Sequence, residues 1–169
     1  MKKYLVLVLA AFMVIALSGT VWAADNASQN VVVTVGDINE VSLTTASTTI
    51  TIASADATAG TATVSKSSSA LTDELSWTTN GTGKKITVAV TAAPTKYTLK
   101  VTGSEITDGA GTLAATVSLS ADATAYDFIT AISTTAGDCD IQYTVDYDVS
   151  DGPVAAQTNT ITYTITASA

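Results

Sequence analysis

The chain of 169 residues contains no histidine and no arginine, and it has one cysteine, two prolines and few aromatic residues. Each scarcity removes something. Without His there is no Ser–His or Cys–His pair and no imidazole for a metal. Without Arg there is no planar fork to hold a phosphate or carboxylate at two points. With Cys139 alone, no disulfide can form within the chain. The seven basic residues are all Lys, against fifteen acids, for a net charge of −8. That balance excludes nucleic acid, whose phosphates demand Lys and Arg, and anionic membrane surfaces. Acidic surfaces favour solubility and attract cations.

What is present begins with a leader. Met1-Lys2-Lys3 is basic, Tyr4 to Leu17 is an unbroken apolar run, and Val21-Trp22-Ala23 offers small residues at the −3 and −1 positions before Ala24. This order predicts a cleaved secretory signal peptide over residues 1–23 and a single domain over 24–169. A retained anchor is the alternative, although a span needs roughly 20 apolar residues. After cleavage no second hydrophobic segment remains to hold the protein in a membrane. The expected location is outside the cell, secreted or on its surface, or in a periplasm.

The mature chain alternates with period two, the mark of strands with one wet and one buried face. Ile141, Tyr143, Val145, Tyr147 and Val149 alternate with polar residues, as do Ile161, Tyr163 and Ile165. With the turn Ser150-Asp151-Gly152-Pro153 between them, these runs read as a long antiparallel pair closing a sheet, with Val145, Tyr163 and Ile165 inward and Thr162 outward. Earlier strands are predicted at Val31–Val35, Val41–Leu43, Ile50–Ile52 and, weakly, Ala62–Val64. Leu75-Trp77-Thr79 and Ile86-Val88-Val90 flank Asn80-Gly81, a hairpin signal because both residues tolerate positive φ. Tyr97-Leu99-Val101 follows, then a loop from Gly103 to Gly111, then a strand from Leu113 to Leu119. Ala125, Phe128, Ile129 and Ile132 are spaced i, i+3, i+4, i+7, which fits a short helical turn, and a strand nearly as well. About nine or ten short strands with regular turn signals predict an all-β protein, an antiparallel β-sandwich of the Ig-like or Greek-key type.

Chemistry is sparse. Asp146, Asp148 and Asp151 lie at a strand end and in a tight turn, and hard cations such as calcium want several such oxygens. They are the candidate metal ligands, against the plainer reading of a solvated strand face. Glu105 and Asp108 are a weaker pair. Cys139, between Asp138 and Asp140, reads as a buried small residue or as half of an intermolecular disulfide. Trp77, Tyr97, Tyr143 and Tyr163 read as core. Asn26-Ala27-Ser28 and Asn80-Gly81-Thr82 match the short glycosylation sequon.

The leader, the Ala/Thr-rich strands and the alternating C-terminal strand together resemble secreted microbial surface and fibre proteins. Those include spore-coat-U proteins, donor-strand pilins and biofilm matrix subunits. The resemblance implies a non-enzymatic structural or adhesive role with self-association through sheet edges. Many such proteins carry an intradomain disulfide that this chain cannot form. An extracellular calcium- or carbohydrate-binding module is the alternative, and ice binding through Thr-Ile-Thr rows a third. No other cofactor is expected. Val31, Val33 and Val35 either begin their own sheet or add to the edge of a neighbour's.

Overall fold

The computed structural model describes residues 29–68 and 73–168. The signal peptide, the first sequon and the start of the lead-in lie outside the described residues. Among those described, no helix is long and apolar enough to cross a membrane. The chain divides into two units, 1–35 and 36–169. Of the first, residues 29–35 are described. They form no strand, and Val31, Val32, Val33 and Val35 are 76, 90, 75 and 70% exposed. The expected first strand is therefore absent, because these residues have no ladder partner among the described residues.

The second unit is almost all antiparallel β. Its strands are β1 (Asn39–Leu43), β2 (Thr63–Ser67), β3 (Asp73–Thr79), β4 (Lys84–Val90), β5 (Tyr97–Asp108), β6 (Thr112–Leu113), β7 (Val117–Ser118), β8 (Tyr126–Ile132), β9 (Thr135–Asp148) and β10 (Ile161–Ala167). A six-stranded sheet has the order β1-β3-β9-β5-β7, with β2 also on β9, and a four-stranded sheet has the order β10-β4-β8-β6. Both contribute to one core, including Leu75, Trp77, Val101, Cys139 and Ile141 from the first and Ile86, Val88, Phe128, Ile129 and Tyr163 from the second. The Tyr143 and Tyr163 hydroxyls, one from each sheet, meet at 3.1 Å.

Strand β9 is the element around which this unit is built. On one edge it pairs β3 through Thr135–Ile141 and β2 through Thr144–Asp148; on the other it pairs β5. Its Cys139, Ile141 and Tyr143 are buried, in keeping with the period-two pattern. However, β9 does not pair with β10. The two belong to different sheets and meet across the core, so the expected closing hairpin does not form.

The same correction applies at Asn80-Gly81. Strands β3 and β4 lie in different sheets, and residues 80–83 carry the chain between them. The Asn80 side chain is used otherwise. Its Oδ1 accepts from the Ile38 N–H and its Nδ2 donates to the Gly36 carbonyl, both at 2.8 Å, extending the β1–β3 ladder. Among the described residues no two consecutive strands are hydrogen-bonded. The pairings nest instead: β5 with β7, β4 with β8, β3 with β9. An Ig-like order would include hairpins between consecutive strands.

Further expectations are revised. Ile50 and Ile52 lie outside any strand; Ile50 packs against the core, but the run has no neighbour to pair with. The weak strand expected at Ala62–Val64 is β2, which runs on to Ser67. The loop expected from Gly103 is mostly strand, since β5 continues to Asp108 through two register shifts against β9. Leu113 and Val117 belong to two short strands in different sheets. Residues 126–132 are strand, not helix. Two irregularities against β4 explain their spacing: Ile86 faces Ile129 but Thr87 faces Asp127, and Lys84 faces Ile132. Phe128 is thus an extra residue, and Ala131, with φ of 57°, lies in a second bulge. Each bulge resets which face a side chain points to, so period two becomes three and four.

Candidate functional site

The outer face of β9 carries Asp138, Asp140, Asp146 and Asp148, and flanking strands decide what each can do. Ser65 on β2 is directly opposite Asp146 and its hydroxyl donates to Oδ1 at 2.6 Å. Lys100 on β5 reaches the other oxygen at 2.5 Å. The Lys100 ammonium first, and the Ser65 hydroxyl second, hold the Asp146 carboxyl below its ordinary range. Asp148 accepts from the Ser150 N–H at 2.9 Å and opens the short 3-10 turn Val149–Asp151, which holds its carboxyl below the ordinary range as well. Asp151 is exposed, and its main-chain carbonyl accepts from Lys96 at 3.0 Å.

The three predicted ligands therefore have separate occupations: an ion pair, a turn cap and an exposed turn. Among the described residues, no three or more acids or thiols are grouped to hold a metal. Glu105 and Asp108 stand on the bulged part of β5, exposed, with Asp108 opposite Asp138. On β10, Thr164 pairs with Thr87 but Thr162 and Thr166 pair with Ala89 and Lys85, so the Thr row continues onto β4 at one position only.

Cys139 is fully buried in the middle of the long sheet. Burial first, then the neighbouring Asp138 and Asp140 charges, push its thiol up to about 12. It fills space as a small apolar group, and an intermolecular disulfide is out of reach. Trp77, Tyr143 and Tyr163 are buried as expected, while Tyr97 is only half-buried.

Two openings are lined in part by residues of β5 and β9. A cleft of about 370 Å³ has Tyr97, Tyr147, Lys96, Asp146 and Asp148 among its lining residues. The second is a groove of about 950 Å³. Its floor is the inward face of β5 and β9, with Leu99, Tyr143, Val145 and Tyr147. Its walls are two irregular runs, residues 45–52 and 153–160. Residues 45–52 and 153–159 make no backbone–backbone hydrogen bond to any described residue. Val145, expected in the closed core, is only half-buried because it lies on this floor. The lining includes no charged side chain, although the whole chain carries −8.

The sequence could not reveal the groove, because its walls come from runs about a hundred positions apart. The one local signal was Ile50-Thr51-Ile52, an apolar pattern that anchors a wall. Compared with family models, curated proteins and solved structures, the chain matches none.

Proposed function

We propose that this chain is an exported, non-enzymatic structural or adhesive subunit that associates with copies of itself through unpaired strand edges. The observation that carries the reading is the mismatch between a well-formed core and unpaired apolar chain: four valines of 31–35 are 70–90% exposed. Contiguous exposed apolar surface marks an interaction site, and unpaired backbone is a template for strand addition. The leader over 1–23 supports export. The lack of His and Arg supports a role other than catalysis. The nested pairing is best read as a jelly-roll-type sandwich, a frequent fold of coats and binding proteins, in place of the Ig-like type.

Sedimentation velocity and negative-stain electron microscopy of the purified protein test the reading. Oligomers or filaments that grow with concentration are expected. A protein that stays monomeric up to its solubility limit ends it.

A further inference from the structure

We infer that the uncharged groove over β5 and β9 is the acceptor for residues 29–35 of a second copy, which enter as an added β-strand between its two walls. This rests on the self-association reading and specifies its two surfaces.

The complementarity has three parts. First, both partners lack backbone bonds. Residues 29–35 are in no strand, and 45–52 and 153–159 make no backbone–backbone hydrogen bond to described residues. A strand laid between two runs whose backbone groups are unpaired can bond to both, which gives affinity independent of side chains. Second, the side chains match. Val31, Val33 and Val35 share one face of an extended segment, since the strand period is two. That face meets a floor with the partly exposed Val145 and Tyr147. Val32 and Thr34 point the other way, to solvent. Third, charge matches by its absence. Gln29 to Val35 carries none, and neither does the lining. Between molecules of −8 each, an uncharged contact avoids local like-charge repulsion.

The occupant is assigned to another molecule on the self-association reading. Gly36 and Ile38 are fixed to Asn80, beyond the start of β1, whereas the groove begins at Leu43, the far end of β1. Donor and acceptor are thus different surfaces, and a head-to-tail contact between different surfaces extends without closing unless a ring forms.

The test uses the full chain expressed in an exporting host. One variant carries Val31→Asp, Val33→Asp and Val35→Asp; these positions are exposed, so its melting temperature is expected to match the parent's. The parent should oligomerise with concentration and the variant should stay monomeric. Hydrogen exchange in the parent oligomer should slow at amides of 45–52 and 154–159, and a synthetic peptide of residues 29–37 should dissociate it. If parent and variant oligomerise alike, self-association stands and this assignment is overturned. Slowed exchange elsewhere than the walls also overturns it. A monomeric parent whose walls are protected, and lose protection in the variant, places the segment in its own groove and overturns the second-copy assignment. A monomeric parent with unprotected walls removes both this inference and the reading beneath it.

Discussion

Gly137 gives the most discriminating test of the packing, because the general expectation and the structural one have opposite signs. It lies inside β9, directly opposite Trp77 on β3. Glycine usually weakens a strand, and Gly→Ala at a position that tolerates it stabilises by about 0.4–1 kcal/mol. Here a Cβ would stand 2.4 Å from the Asp108 carbonyl oxygen and 2.4 and 2.7 Å from two atoms of the Trp77 ring. The first obstacle is backbone, and the second is a ring 2% exposed with nowhere to retreat. Overpacking of this kind costs about 1–3 kcal/mol. In a chain of this size each kcal/mol is worth about 2–4 °C, so Gly137→Ala should melt about 2–12 °C below the parent. Gly36→Ala is the control, since a Cβ there meets nothing within 4 Å; its effect should stay within about 0.5 kcal/mol. Urea denaturation followed by far-ultraviolet circular dichroism measures both. A Gly137→Ala protein as stable as the parent would refute the close Trp77–Gly137 contact and the β3–β9 register with it.

Leu75 is fully buried and Thr162 exposed. Leu75→Ala should therefore cost about 2–5 kcal/mol, while Thr162→Asp should stay below about 1 kcal/mol. Similar losses on denaturation would mean that the faces are misassigned, since a one-residue slip exchanges them. The Asp146–Lys100 pair predicts acid lability. A carboxyl held below its ordinary value of 3.8 contributes stability above that value, and the contribution is lost as pH falls through the lower folded value. Lys100→Met should flatten the fall in melting temperature below about pH 4 and return the Asp146 carboxyl toward its ordinary range in an NMR titration. An unchanged titration would show that the ion pair does not form in solution.

The sequence made the faces legible and the partners illegible, for a definite physical reason. Alternation is a local property, so Ile86-Val88-Val90 and Ile141-Tyr143 were readable as inward without knowing what they meet. Pairing is readable from sequence mainly where consecutive strands form hairpins, and among the described residues no consecutive pair does. Asn80-Gly81 therefore carried a sound turn signal to the wrong conclusion: the turn exists, but it changes sheets. The helical spacing of Phe128, Ile129 and Ile132 misled because two bulges, visible only once β4 is alongside, shift the period. The acids suffered the same way. Nothing near Asp146 announces that Ser65 and Lys100, 81 and 46 positions away, will occupy its oxygens.

The nesting also bears on why an acceptor should exist at all. Strands β3 to β9 pair inward from both ends of the chain, and among the described residues β1 and β10 are edge strands, paired on one side only, to β3 and β4. The two unpaired runs adjoin these edge strands in sequence: 45–52 shortly follows β1, and 153–160 leads into β10. Among the described residues, the four-stranded sheet has no further strand beyond β10 to cover the inward face of β5 and β9, so that face is left to two irregular runs. Closing it from within would require another strand at the edge where the nest ends. Residues 29–35 have the length, alternation and neutrality for such a strand, yet their exit at Gly36 is tied to the opposite end of β1. On the inference above, residues 29–35 of a neighbouring copy would supply that strand.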